Sequence, residues 1–392
     1  MIPVTVMVTG KGTVSKRLKG EYNKEKPSRF TDIVKPVIFW NITYKCNLQC
    51  QHCYMRSGPW VNYPELNKDE LLHIASQIVD QESPLIVFTG GEPLIKEEFW
   101  DIVKYLSYYR RPTLSLSSNG TLITRKIASN LAYLGFRYVG ISIDSANPAR
   151  HDSFRGVKGA YEKAIEGIRN VVDAGIPAGI RTTITANNYK ETGEIVDLAY
   201  RLGVRRVSLY LLDTVGRGLK LGRELLTPGM VAEWADNLIE LAEMYQDSLE
   251  ILIVRGNFVG IYIAWKLASS KEEFMEYLSL IEAQGDCGRK TASIYPDGTV
   301  RPCQFIDHVV IGDLRKDQLR DILNASNPRL RPFLNISKHL RGPKCSMCPF
   351  KQVCGGGSRN RAYAINGDYW GDDPLCPLDI KLLGKFIDDT RS

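Results

Sequence analysis

At roughly 150 residues per domain, a chain of 392 residues makes two or three domains. Hydrophobic residues at 44% and charged residues at 24%, with 33 glycines and 19 prolines, are ordinary globular usage and exclude a mostly disordered, collagenous or coiled-coil chain. The formal net charge of +7 is a mild excess, and the basic residues are not interleaved with aromatics in a patch, so no nucleic-acid partner is expected.

Residues 1–34 carry Lys11, Lys16, Arg17, Lys19, Lys24, Lys26 and Arg29 and read as an irregular basic arm. The apolar stretch 1–9 is too short for a secretory signal and lacks its charged start and cleavage site. No apolar run reaches the roughly 18 to 20 residues that span a membrane. The nearest, 251–268, is interrupted by Arg255, Asn257 and Lys266. A cytoplasmic location is therefore expected, where thiols stay reduced.

From Pro36 the pattern becomes regular. Strands are predicted over 37–43, 85–89, 113–117, 138–144, 179–185 and 207–212. Helices are predicted between and after them, over 68–81, 97–109, 125–134, 160–173 and 191–202. The strands are short, nearly continuous runs of Val, Ile, Leu and Tyr, as strands covered on both faces should be. In 160–173, Ile165, Ile168 and Val172 make one helical stripe. Six β/α units imply a parallel sheet, either an open doubly wound sheet or a full or partial barrel, and both place function at the carboxyl ends of the strands. Residues 226–284 read as a helical linker, with helices over 228–244 and 272–283. The segment 285–392 reads as a second module. It opens with a hairpin over 292–301 that turns at Pro296-Asp297-Gly298, and it ends in a Cys-, Gly- and Pro-rich stretch that needs metal to fold.

The nine cysteines fall into two groups at the ends of the chain: Cys46, Cys50 and Cys53, then Cys287, Cys303, Cys345, Cys348, Cys354 and Cys376. In a reducing compartment such clustering reads as metal ligation, and all nine are expected as ligands. Cys46-x3-Cys50-x2-Cys53 offers three thiolates from one loop, which suits an iron–sulfur cluster or zinc. A structural zinc site wants four ligands, and only His52 stands nearby. A 4Fe–4S cluster on three cysteines would leave one iron open for a substrate or cofactor. Gly90-Gly91-Glu92-Pro93, Ser118-Asn119-Gly120 and Asp144-Ser145 follow at the next strand ends, so four consecutive strand ends point to one shared site.

The run Cys46-Asn-Leu-Gln-Cys50-Gln-His-Cys53-Tyr54 resembles the signature of the radical S-adenosylmethionine (radical SAM) superfamily. Gly90-Gly91-Glu92-Pro93 resembles its GGEP motif. Ser118-Asn119-Gly120, Ser142-Ile143-Asp144, and His151-Asp152 with Arg155-Gly156 match further segments in order. The resemblance implies a partial (β/α)6 TIM-like barrel over 35–225. It also implies an open iron that chelates S-adenosylmethionine, whose reductive cleavage gives a 5′-deoxyadenosyl radical that abstracts hydrogen from the substrate. It further implies that Glu92, with Gly90, Gly91 and Pro93, meets the methionine amino group, that Arg155 and Ser142 meet its carboxylate, that Ser118, Asn119 and Asp144 line the site, and that Tyr54 packs beside cluster and adenine. No catalytic acid or base is identified.

Cys287 and Cys303, the run Cys345-x2-Cys348-x5-Cys354 and the final Cys376 resemble the SPASM extension, which carries auxiliary iron–sulfur clusters. The resemblance implies one auxiliary 4Fe–4S cluster on Cys345, Cys348, Cys354 and Cys376, with zinc on that run as the alternative. The second set lacks a thiolate, because Ser358 stands where the family pattern has cysteine. An oxygen ligand from Ser358 or Asp286, a site left open for substrate, and absence of that cluster all stay open.

Val37-Ile-Phe-Trp-Asn41, the Asp213, Gly216 and Gly218 loop, and the Gly356–Ala364 and Asp372–Pro374 stretches resemble the enzymes of heme d1 and alternative heme biosynthesis and a group that matures tungstopterin oxidoreductases. A cofactor-type substrate, above all an acidic tetrapyrrole, is expected, with Arg217, Arg359 and Arg361 as partners for its carboxylates. A peptide or protein substrate is the alternative, weakened because residues 1–34 are too short for a leader-binding domain; a non-catalytic iron–sulfur carrier is remote. The positive charge suits an acidic electron donor such as ferredoxin or flavodoxin.

Overall fold

The computed structural model describes residues 1–10, 35–109, 111–281 and 287–379. All six predicted strands form. They are β2 (Val37–Thr43), β3 (Leu85–Gly90), β4 (Thr113–Ser118), β5 (Phe136–Ser142), β6 (Ala178–Ile184) and β7 (Arg206–Leu211), following a short β1 (Ile2–Pro3). They pair in parallel in sequence order and curve into a partial barrel. The helices between them bury one stripe each against the sheet. Lys68–Asp80 begins with a reciprocal cap between Asn67 and Glu70 and buries Leu71, Ile74, Ala75 and Ile78. In Ala160–Asp173 the buried stripe is Ala164, Ile165, Ile168 and Val171. An eight-residue helix, Pro148–Arg155, capped by Asn147, was not foreseen; it is too short for apolar spacing to show.

The segment 226–284 is more than a helical linker. After helix Pro228–Met244 it contributes β8 (Glu250–Val254), parallel to β7, so the barrel gains a seventh parallel strand. Two helices follow, Asn257–Leu267 and Lys271–Leu280. The start of the chain is not an irregular arm either. Ile2–Pro3 pairs antiparallel with β8, and the helix Val4–Thr9 packs on it and on Pro228–Met244. Ile2, Val4 and Met7 are buried, and the Thr5 hydroxyl accepts from the Ile251 amide at 2.9 Å. The apolar run that was too short for a signal is long enough to cover a sheet edge. The basic residues 11–34 lie outside the described residues.

The second module joins the same sheet at its other end. β9 (Thr291–Ile294) runs parallel to β2, and β10 (Thr299–Arg301) and β11 (Gly312–Asp313) continue antiparallel from it. The hairpin turn falls at Pro296–Gly298 as predicted. Asn41, buried on β2, donates to Ser293 Oγ at 2.7 Å and to the Ile294 carbonyl at 3.0 Å. Among the described residues no helix is long and apolar enough to cross a membrane.

Because Met7 fills the space over β8, Met7→Ala should destabilise the protein by about 2–5 kcal/mol. Urea unfolding followed by circular dichroism checks this; an unchanged midpoint would show that the segment does not belong to the folded core.

Candidate active site

The carboxyl ends of β2 to β7 open into one cavity with about 990 Å3 of space free of protein atoms, counting the solvent at its mouth. Cys46, Cys50 and Cys53 line one wall, on the loop that leaves β2. Each sulfur has an N–H directed at it: Leu48 N at 3.4 Å from Cys46, Arg155 Nη1 at 3.6 Å from Cys50, and Ser57 N at 3.3 Å from Cys53. The loop is set among Leu48, Val157 and Ala160, and burial pushes the Cys46 thiol up to about 12. Such thiols lose their protons when a cation binds them.

Seven of the ten residues expected to hold the cofactor face this cavity: Tyr54, Gly90, Gly91, Ser118, Asn119, Ser142 and Arg155. The other three, Glu92, Pro93 and Asp144, stand behind it. Glu92 is fully buried and accepts from Ser118 Oγ at 2.9 and 3.0 Å, from the Asn119 amide at 2.9 Å and from the Leu94 amide at 3.3 Å. Burial pushes its carboxyl up to about 7, against the pull of those donors. Glu92 thus ties the end of β3 to the end of β4 and does not offer its carboxylate to the cavity. Gly91 serves packing as well: a Cβ there would stand 1.9 Å from the Lys45 carbonyl, so only glycine lets this turn meet the strand leading into Cys46. Asp144 accepts from Arg155 Nε at 2.6 Å and from the Thr183 amide at 2.8 Å. Burial alone would raise its carboxyl, but the Arg155 guanidinium holds it below the ordinary range. Asp144 therefore aims Arg155, and Arg155 reaches Cys50 and the cavity.

The Asp213–Gly218 loop closes over the cysteine loop. Gly216, at φ +60°, has no room for a Cβ, which would lie 2.4 Å from the carbonyls of Cys53 and Tyr54. Arg217 donates to the Cys50 carbonyl at 2.7 Å and the Ser57 carbonyl at 2.8 Å. Arg359 donates to the carbonyls of Tyr369 and Gly371, both at 2.8 Å, and Arg361 pairs with Asp373 at 2.8 Å with neither side chain exposed. These three arginines, expected to meet substrate carboxylates, are committed to the protein's own backbone and carboxylates, and none lines the cavity.

Cys345, Cys348, Cys354 and Cys376 converge on a second, smaller cavity, with Lys344 and Lys351 beside them. Cys287 and Cys303, also expected as metal ligands, are joined to each other as a disulfide. Ser358 is not free to act as a ligand: its hydroxyl donates to Asp213 Oδ1 at 2.6 Å and caps the helix Arg359–Asn366. Arg255 fills the remaining space, with Nη1 3.0 Å from the Cys287 sulfur and Nη2 bonded to Asp213 at 2.5 Å. Asp286 lies outside the described residues.

Residues 40–212 match the radical SAM superfamily, and residues 286–349 match SPASM, an iron–sulfur cluster-binding domain. The chain is 31% identical to the Fe-coproporphyrin III synthase of Methanosarcina barkeri, over 98% of this chain and 100% of that one. This chain belongs to the radical SAM superfamily. It is also 33% identical to the pre-heme d1 synthase of Dinoroseobacter shibae, over 94% of this chain and 93% of that one. Its fold is that of SuiB from Streptococcus suis, solved with its precursor peptide SuiA, at a TM-score of 0.66 over 88% of this chain and 76% of that one, with 16% identity.

A radical SAM enzyme with a SPASM domain carries S-adenosylmethionine, a 4Fe–4S cluster and auxiliary iron–sulfur. The donor sets fit. Three sulfurs face one cavity and four face another, the numbers that an open and a closed 4Fe–4S site call for. Among the residues that sequence reasoning missed in the main cavity are Arg181, Tyr210, Gln304 and Phe305. Only Arg181 left a signal, as the one charged residue inside an otherwise uncharged strand.

Reconstituted anaerobically, the protein should hold about eight irons, four per cluster. Replacing Cys287 and Cys303 by Ala should leave that number unchanged, and replacing Cys345 and Cys354 should bring it to about four. About twelve irons in the wild type, falling to about eight in the hairpin variant, would show a third cluster there.

Proposed function

We propose that this radical SAM enzyme modifies the side chains of a tetrapyrrole. The observation that carries the reading is length: the chain is collinear with the coproporphyrin and heme d1 relatives from end to end, 98% and 94% of it aligned. One cavity shared by the first cysteine set and the strand-end polar residues supports it.

When bound, the cluster and S-adenosylmethionine supply one-electron cleavage and hydrogen-atom abstraction. The chain's own residues bind and orient. Cys46, Cys50 and Cys53 hold the cluster. Arg155, aimed by Asp144, and Ser142 on the neighbouring strand end take the methionine carboxylate. Ser118 and Asn119, held by Glu92, and the edge at Gly90 and Gly91 position the rest of that ligand. Tyr54, whose hydroxyl donates to Asn41 at 2.7 Å, walls the cavity between the cluster loop and Phe305, 5.3 Å away between ring centroids. The auxiliary cluster sits on Cys345, Cys348, Cys354 and Cys376. An acidic donor such as ferredoxin or flavodoxin delivers the electron, in keeping with the net charge of +7.

The test is an anaerobic assay scored by 5′-deoxyadenosine that depends on added substrate. Iron coproporphyrin III should stimulate its release, and Cys46, Cys50 and Cys53 changed together to Ala should abolish it; release that persists would sink the chemistry. Stimulation by peptides and not by porphyrins would move the substrate to the peptide class. Reduction by ferredoxin should slow as salt rises, since long-range steering is screened beyond about 10 Å at 0.1 M; a rate indifferent to salt would exclude an electrostatically docked donor.

A further inference from the structure

Four largely buried arginines in this protein face carboxylates: Arg155 with Asp144, Arg206 with Glu250, Arg255 with Asp213 and Arg361 with Asp373, all at 2.5–2.8 Å. Arg181 does not. It lies on β6 in register with Ser142 of β5, and its side chain enters the cavity that holds the first cysteine set. Among the described residues its guanidinium has one hydrogen-bond partner, the Tyr210 hydroxyl, and lies 4.9 Å from the centre of that ring. A cation lowered into a concave site among the phenols of Tyr210, Tyr138 and Tyr54, with no carboxylate bonded to it among the described residues, is costly to the fold unless something else completes it.

The surroundings are built to admit it. A Cβ on Gly140 would stand 2.7 Å from Arg181 Cδ, and one on Gly179 would stand 1.8 Å from the Tyr138 hydroxyl. Two strand positions that would point into the barrel thus carry no side chain. The arginine one layer deeper behaves differently. Arg206, in register with Gly179, lies over Tyr138 at 5.4 Å and is neutralised by the fully buried Glu250. The deep layer is closed and paired, and the layer facing the cavity keeps an open positive charge. The arginine already placed for the methionine carboxylate, Arg155, is a separate group on another element. A guanidinium with free N–H edges is the side chain best suited to grip a carboxylate by two parallel bonds.

We propose that Arg181, with the Tyr210 hydroxyl beside it, anchors a carboxylate side chain of the substrate and so decides which part of the substrate is presented to the radical. The identity of that substrate rests on the tetrapyrrole reading above. Reconstituted protein is titrated with coproporphyrin III and with its tetramethyl ester, followed by the porphyrin absorption band. Arg181→Gln should weaken the acid roughly 10- to 100-fold and leave the ester unchanged. Arg181→Lys should recover part of the loss, since it keeps the charge without the fork, and Tyr210→Phe should weaken the acid several-fold. Acid affinity equal to wild type in the folded, iron-loaded Gln variant overturns the assignment. If that variant does not fold, unchanged affinity in both Arg181→Lys and Tyr210→Phe overturns it. Loss of S-adenosylmethionine binding in the Gln variant overturns it too, by placing Arg181 on the other ligand. Wild-type protein that binds neither acid nor ester overturns the tetrapyrrole reading and this assignment with it, whereas wild-type binding that survives Arg181→Gln overturns the assignment alone.

Discussion

One buried amide holds the two halves of this protein in register. Asn41 sits inside β2 with no exposed surface. Its nitrogen donates across to Ser293 and Ile294 on β9, the first strand of the SPASM module, and its oxygen accepts from Tyr54, directly after the last cysteine of the cluster loop. A buried amide left half-bonded costs about 1–3 kcal/mol per unmet group, so all three segments are held to one geometry. The distance between the catalytic cluster and the auxiliary module is therefore set by a strand pairing and its polar core, and not by a flexible tether.

The same economy governs charge. A buried ion pair adds little net stability, because desolvation cancels most of the attraction, but removing one partner leaves a costly lone charge. Asp144 and Arg155 gain from that asymmetry. The carboxylate is held by a backbone amide from β6 as well as by the guanidinium, so Arg155 has one stable orientation, and it points at Cys50. Glu92 does the same without a cation, using three donors from two loops to fix where Ser118 and Asn119 stand. Both carboxylates shape the site from behind.

How much of this was legible depended on length and on direction. Six short strands, each followed by a helix, announce themselves by period, and they formed. β8 has five residues between two helices, and β1 is two residues joined to a helix of six, too few for a period to show. The cysteine loop was legible because spacing alone brings three sulfurs together. Glu92 reads as a ligand because it stands in a ligand motif, but its partners in the fold come from a strand end 26 residues on, which spacing does not reveal. For Arg217, Arg359 and Arg361 the sequence shows a charge but not the carbonyls and the carboxylate that meet it. Arg181 stood in the strand pattern all along, and what gives it meaning, the absence of a carboxylate opposite among the described residues, exists only in three dimensions.

Ser358 shows how a position expected near metal ligands can serve the fold instead. Its hydroxyl caps a helix and donates to Asp213, and Asp213 in turn carries Arg255 and Asn360. Burial would raise the Asp213 carboxyl, but Arg255, Arg361 and the Ser358 hydroxyl hold it below its usual range. A cysteine at 358 would be a poorer donor and would leave that carboxylate less well satisfied, while Arg255 occupies the space beside the two hairpin sulfurs that a cluster would need. Ser358, Asp213 and Arg255 thus form one closed triangle of hydrogen bonds, so a change at any one of them is felt by the other two.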